Sequence, residues 1–438
     1  MEWLELVNME YGECIVLGGR DRSILMVDCG SVSQKLREGD VPLEAWVETL
    51  ADRYDFAMDR FFLLTHYHRD HLWGFQKLLE SRPGYFTRVY LPRTPLDRNG
   101  SPQLLEFALF AYLFLPPQSD SFQVNTWCVR AFQALEKHLG ADRIFTVGAG
   151  DRFHFDGVDY QVLWPRVEDY PFDPALGAAL EELNVLFSSP FQPESFQRFM
   201  ALKEEFLTVY RRCGEAFSVS GRELPDKRRA FVEHLNRLLG DLEDLREDLN
   251  LSSQAHDARE ILQNPLYAGA YSAGVNSASV VFHNLRKGSP SEQDLLLTGD
   301  ATPETLAEIA DQLYDGYYIL KAPHHGTVSG YSNLFADMSA AHILISNGEY
   351  HAGGAIAQAY IDREDSLRHC TGTGACKWFR ASQGCCNRLC TCYDQDPAPG
   401  LALKCRAAVR PTGASPGCRI RVVGPTGERG CFCDTLRP

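Results

Sequence analysis

The stretch THYHRDHLWG, residues 65 to 74, follows the apolar run FFLL (61–64) and places three histidines and an aspartate within His66 to His71. FFLL reads as a short buried strand, and HLWGFQKLLES as a helix, so the cluster lies at a strand-to-helix turn. Alternate side chains of an extended segment share a side, which brings His66 and His68 together. Asp70 and His71, at the start of the helix, can turn toward that side. Imidazole and carboxylate form a donor set for zinc, iron or manganese. One loop histidine is ordinary; four donor groups in HxHxDH order at one turn point to a metal.

Upstream, WLELVNM, CIVLGG and ILMVDCG read as three strands joined by turns at Tyr11-Gly12-Glu13 and Arg20-Asp21-Arg22. Leu43, Trp46, Val47, Leu50 and Tyr54 mark one face of a helix over 43 to 58. Downstream, TRVYLP (87–92) and VDYQVLWP (158–165) read as strands. Helical periodicity covers about 103 to 140, broken at Pro116-Pro117, and 175 to 262, so both are expected as helical insertions. ASVVFHNL (278–285) and DLLLTGD (294–300) form a further strand pair, and ATPETLAEIADQLY a helix with Thr302 as cap and Pro303 in its first turn. YYILKAPHHG and HILISNGEYH are two more strand-to-loop passages. Strands alternating with helices predict a layered α/β architecture.

Two of these passages end in further donors. LLLTGD delivers Asp300, and ILKAPHHG delivers His324 and His325, each just beyond an apolar strand, where α/β sheets collect ligands.

The 438 residues suffice for one elaborated domain or two to three smaller ones, and 45% hydrophobic with 23% charged residues is an ordinary globular balance. The net charge of -15 argues against a protein coated in phosphate-binding surface. MEWLELVNMEYGEC has no basic segment leading into an apolar one, and no apolar run reaches about 18 residues, so a cytoplasmic protein with no membrane partner is expected. Of 14 cysteines, ten lie between Cys370 and Cys433. After about Phe379 helical periodicity disappears, and from Ser366 onward eleven Lys/Arg face four Asp/Glu. The segment 379–438 is therefore expected to be a basic, Cys-rich, irregular tail. Cys385, Cys386, Cys390, Cys392, Cys431 and Cys433 are candidates for a thiolate zinc site, with His369 or Cys370 as further donors. Reduced thiols and disulfides are the alternatives, and the basic residues beside them are candidates for a nucleic-acid backbone.

HYHRDH, TGD and PHHG, in that order, resemble the metallo-β-lactamase fold, and more closely the metallohydrolase domain of the DNA-uptake protein ComEC and its soluble relatives. VDCG with Asp28, VNSASVVFH with Asn276 and ISNGEYH with His351 extend the likeness, which covers residues 1 to 378 apart from the helical stretches. The resemblance implies an αββα sandwich. It implies one metal position around His66 and His68, and a second around Asp70, His71 and either His324 or His325, with Asp300 bridging. Asp28 is expected to orient a ligand histidine, and Asn276 to stand where many members carry another histidine on the strand before GD. His283 and His256 are nearby alternatives for that place.

One or two divalent metals in such a site, zinc first and manganese or iron otherwise, imply hydrolysis by an activated water. Asp70 is the candidate to orient or deprotonate the water. His351, or the spare histidine of PHHG, is the candidate to protonate the leaving group. The resemblance implies a phosphodiester substrate, with nucleic acid as the partner. Alternatives are a small ester, thioester, lactone or cyclic nucleotide, or an accessory subunit with a degenerate site, acting with partner proteins of the same gene cluster.

Overall fold

The computed structural model describes residues 1–36, 38–116, 125–188, 193–221, 223–291, 293–348, 356–363, 366–371, 419–425 and 427–430. The chain divides into two compact units. The first comprises Met1–Val89, Gly150–Trp164 and Ser279–Pro438, and the second Tyr90–Ala149 and Pro165–Ala278.

The first unit contains two β-sheets. In one, hydrogen-bonded neighbours follow the order Gly427–Gly430, Arg419–Gly424, Trp3–Val7, Ile15–Gly18, Ser23–Val27, Asp59–Leu63 and Arg88–Pro92. The expected opening meander is present, with Leu4 opposite Leu17 and Leu17 opposite Leu25. Helix Leu43–Arg53 then crosses over, so that Asp59–Leu63 pairs parallel with Ser23–Val27. The second sheet follows the order Leu367–Cys370, Ser339–Ile345, Gly316–Lys321, Leu295–Leu297, Val281–Asn284, Val158–Trp164 and Arg152–Phe155.

Strand periodicity explains the layering. Phe62 points to one face and stacks on Phe75 of helix Arg69–Ser81, ring centroids 3.8 Å apart. Its neighbour Phe61 points the other way and meets Phe155 of the second sheet at 6.0 Å. Helix Leu43–Arg53 buries Leu43, Trp46, Val47, Leu50 and Ala51, the face that its sequence period marks. Helices Pro303–Glu308, Leu334–Asp337 and Gln358–Ile361 lie in the chain between successive strands of the second sheet. The result is the αββα sandwich that the motif order implies.

The second unit is mostly helical: Gln103–Phe114, Ala131–Leu139, Pro174–Phe187, Glu194–Ala216, Pro225–Asn250, Ser253–Gln263 and Pro265–Ser277. Its core is aromatic, with Phe114 against Phe187 at 5.1 Å and Phe110 against Phe199 at 5.7 Å. Lys203, fully buried, pairs there with Glu106 and donates to Asn184.

Three local expectations change. The strand expected from residue 278 begins only at Val281, and Asn276 stands instead in the last turn of helix Pro265–Ser277. That helix follows from its own signals: the Asn264 side chain accepts from Leu266 N, and Pro265 occupies the first turn. The helix after Thr302 is capped as expected but ends at Glu308, where Ile309 leaves helical geometry (φ -110°, ψ 9°). The tail expected to be irregular supplies two strands, Arg419–Gly424 running parallel to Trp3–Val7, and Gly427–Gly430 folded back upon it. RIRVVG has strand-forming residues and buries Ile420, Val422 and Val423, so this segment has an apolar strand to contribute. Among the described residues no helix is long and apolar enough to cross a membrane.

Candidate metal centre

Strand Asp59–Leu63 hands the chain to Thr65, which links Asp28 to the histidine turn. Asp28, at the end of strand Ser23–Val27, accepts from Thr65 N and from Thr65 Oγ1, both at 2.7 Å. The same carboxylate meets His71 Nδ1 at 2.7 Å, and both side chains are fully buried. His71 is thereby held through one nitrogen, leaving Nε2 to face inward, where it makes no hydrogen bond. The close approach requires Gly30: a Cβ there would lie 2.5 Å from Arg69 O and 2.5 Å from His71 N.

His66 is oriented in the same way. Its Nδ1 lies 3.1 Å from Thr65 Oγ1 and 3.2 Å from Ser279 Oγ, while its buried Nε2 has no hydrogen-bond partner. The rings of His68 and His71 lie 4.8 Å and 4.1 Å from that of His66.

Asp300 enters from the loop after strand Leu295–Leu297. Ser279 Oγ, besides meeting His66, accepts from Asp300 N at 3.2 Å. Gly299 has φ 50°, and a Cβ on it would sit 2.9 Å from Thr65 Cβ, so only glycine lets the loop press against the histidine turn. Asp300 Oδ1 lies 3.3 Å from His71 Nε2, and Oδ2 lies 3.4 Å from His325 Nε2 and 3.8 Å from His324 Nε2.

The sequence left His324 and His325 equivalent, and burial separates them. Both have left-handed φ, 47° and 58°, strained for non-glycine residues and typical of functional loops. His325 is fully buried, its Nδ1 on Ser346 O at 2.7 Å and its Nε2 3.1 Å from Asp70 Oδ2. His324 keeps 29% of its side chain exposed.

Glu13, Tyr11, Ser279 and Lys321 belong to this neighbourhood, and motif reasoning missed all four. One donor atom each from Glu13, His71, Asp300 and His325 lies within 4.8 Å of all the others. The Tyr11 ring packs 4.7 Å from that of His325, and Lys321 Nζ lies 2.8 Å from Glu13 Oε2. The only sequence signal was a glutamate in a turn between two apolar strands.

The electrostatics divide the histidines into two pairs. Burial, with His71 and His68 beside it, holds His66 well below the usual imidazole range, and burial lowers His68 as well. Burial is the largest influence on His71 and His325 and opposes their charging, but Asp300 and a second carboxylate together outweigh it. With Asp28 for His71 and Asp70 for His325, Asp300 raises both well above that range. Burial pushes Asp70 and Asp300 upward, yet the imidazoles of His325 and His71 hold both carboxylates below their usual range. Without a cation, three carboxylates, Asp28, Asp70 and Asp300, therefore surround these two rings and favour their charged forms.

The donor set fits a divalent cation. His66 Nε2, His71 Nε2 and Asp300 Oδ1 are buried with no hydrogen-bond partner. Orphaned buried polar atoms are costly, and three on one centre, two of them on rings pinned through the opposite nitrogen, are donors that a bound cation would satisfy.

Other expected residues lie elsewhere. His283 is on strand Val281–Asn284, bonded through Nδ1 to Tyr317 OH at 2.9 Å, and burial with Arg286 nearby lowers it to about 4. His256 is exposed and pairs with Glu260 of its own helix. His369 meets His342 at 3.0 Å within the second sheet, and Cys370 is buried on the same strand. His351, Cys385, Cys386, Cys390, Cys392, Cys431 and Cys433 lie outside the described residues.

No family model matches the sequence. No curated protein matches it either. Among solved structures, the chain is similar to a B3 metallo-β-lactamase with an active-site glutamic acid, at 12% identity and a TM-score of 0.19, over 56% of this chain and 89% of that one. It is similar to the metallo-β-lactamase SMB-1 bound to 2-mercaptoethanesulfonate, at 11% identity and a TM-score of 0.18, over 56% and 97%. MEM-A1, a subclass B3 metallo-β-lactamase from a soil metagenome library, matches at 11% identity and a TM-score of 0.20, over 56% and 98%. Likeness at this level carries no residue correspondence.

Proposed function

We propose that this chain is a metal-dependent hydrolase whose centre takes one or two divalent cations, zinc first and manganese or iron otherwise. The observation that carries the reading is the set of orphaned atoms His66 Nε2, His71 Nε2 and Asp300 Oδ1 on one buried centre. His66 and His68 make one position. Asp70, His71 and His325 make the other, and Asp300 presents one carboxylate oxygen toward His71 and the other toward His325. The carboxylates around His71 and His325 favour their protonated forms, and a divalent cation can take the place of those two protons.

A cation held there supplies Lewis acidity toward a carbonyl or phosphoryl oxygen and acidifies water toward neutral pH. The protein's own groups do the rest. Asp28, Ser346 O and the Thr65–Ser279 hydroxyl pair fix the three rings, so the reacting geometry needs no rearrangement. Asp70, ionised and 14% exposed, orients the attacking water and receives its proton. His324, the exposed histidine of the pair, gives a proton to the leaving group.

The substrate we favour is a phosphodiester, in DNA or RNA, because the order HYHRDH, TGD, PHHG resembles the ComEC-like group. A second reading, hydrolysis of a small ester, thioester, lactone or cyclic nucleotide, draws support from the net charge of -15, which repels a polyanion. Cleavage of single-stranded DNA and RNA with manganese or zinc tests the first. If neither polymer is cut while bis-p-nitrophenyl phosphate or a thioester is turned over, the second holds. Full metal content without turnover of any of these favours an accessory role beside partner proteins of the same gene cluster.

A further inference from the structure

Glu13 is 1% exposed and Lys321 not exposed at all, so both charges of this pair are inside the protein. A buried ion pair is costly to desolvate, and its location decides whether it is merely tolerated or has a use. Here it ties together the segments that carry the metal donors. Glu13 N donates to Asp70 O at 2.9 Å, and Glu13 O accepts from Gly30 N at 3.1 Å, which fastens the first hairpin turn to the histidine loop. Lys321 Nζ donates to Ala322 O at 2.7 Å and Gly299 O at 3.4 Å, next to Asp300 and just before His324. The ammonium lies 2.8 Å from Glu13 Oε2, and Oε2 has no aligned hydrogen-bond donor. The Glu13 carboxylate also lies within 4.8 Å of donor atoms from His71, Asp300 and His325.

We propose that Glu13 is itself a ligand of the cation, and that Lys321 is the positioning residue that draws its carboxylate into the donor set. The inference rests on the metal-centre reading above and adds a third carboxylate to it. Lys321 offsets that added charge, so three acidic groups can converge on one ion without an excess of buried negative charge.

The test uses the full chain stripped of metal, titrated with zinc or manganese against a chromophoric chelator, with thermal unfolding of the metal-free form measured in parallel. Glu13→Gln keeps the shape and removes the ligand charge, and should weaken binding about 10- to 100-fold. Lys321→Met leaves Glu13 unpaired in the metal-free protein, so added cation should raise its Tm by more than in the wild type. The double variant Glu13→Gln, Lys321→Met leaves no lone buried charge. It should unfold at a higher temperature than either single variant, while binding the cation as weakly as Glu13→Gln. Should Glu13→Gln alone fail to fold, the double variant carries the comparison. Wild-type affinity in the double variant overturns the proposal and leaves the pair purely structural. A wild-type chain that binds neither ion overturns the metal-centre reading itself, before any variant is compared.

Discussion

Asp28 Oδ2 lies 2.7 Å from His71 Nδ1, and neither side chain is exposed to solvent. The carboxylate comes from a residue with φ 57°, beyond the end of its strand, and its other oxygen receives Thr65 N. One side chain therefore fixes both the backbone before the histidine cluster and the tautomer of the last histidine in it. Asp28→Asn puts an N–H opposite His71 Nδ1, which drives the ring proton to Nε2 and occupies the lone pair a cation needs. Cation affinity should fall about 10- to 100-fold with the fold retained, measured by chelator competition and circular dichroism. Unchanged affinity would mean that His71 is not a ligand.

The pair His66→Ala, His68→Ala removes both imidazoles of one position. Metal analysis of the purified variant should show the loss of the equivalent bound there. Wild-type metal content in that variant would sink the assignment of both residues.

Proton release separates the two histidine pairs. His66 and His68 are lowered and already neutral at pH 7, whereas His71 and His325 are raised and must each give up a proton to bind a cation. Calorimetry in two buffers of different ionisation enthalpy should report about two protons released rather than four, and the logarithm of affinity should rise with pH accordingly. The same sign governs the metal-free fold. Stability from the raised pair is fully present below about pH 6.5, the ordinary imidazole value, and is lost as pH rises through their higher folded values. The depressed Asp70 and Asp300 act in the opposite window. Their contribution is present above about pH 4 and is lost as pH falls through their folded values. Release of fewer than one proton would contradict the imidazolium–carboxylate arrangement.

Gly299→Ala places a methyl 2.9 Å from Thr65 Cβ, at a backbone φ of 50° that L-residues disfavour. The left-handed conformation alone costs about 1–2 kcal/mol, and the clash adds to it. Thermal unfolding should shift downward by several degrees, and because Asp300 follows directly, cation affinity should fall with it. An unaltered Tm would show that the loop can move away from Thr65 at no cost.

Much of the centre was legible because its donors are local. HxHxDH at a strand-to-helix turn, Asp300 after LLLTG and the PHHG pair each announce themselves within a few residues of an apolar run. Glu13, Ser279 and Lys321 were not legible, since each is an ordinary residue type whose partner lies far along the chain: Asp70 for Glu13 N, His66 for Ser279, and Glu13 for Lys321. VNSASVVFH reads whole as a strand, which would put Asn276 on it. Helix Pro265–Ser277 instead extends to within four residues of Val281. The tail hairpin was overlooked because glycine, proline and cysteine around it masked the strand character of RIRVVG.

By itself the sequence determined the layered α/β class, the opening meander, the helical stretches and most of the donor types, because periods of two and 3.6 residues and strand-end polar groups are properties of short segments. Only the tertiary structure decided which nitrogen of His66, His71 and His325 faces the centre, and that His325 rather than His324 is the buried one. It also decided that a glutamate from the first hairpin joins them. Those outcomes depend on hydrogen bonds and left-handed turns that exist only once the two sheets close on each other, and no local pattern encodes a partner two or three hundred residues away.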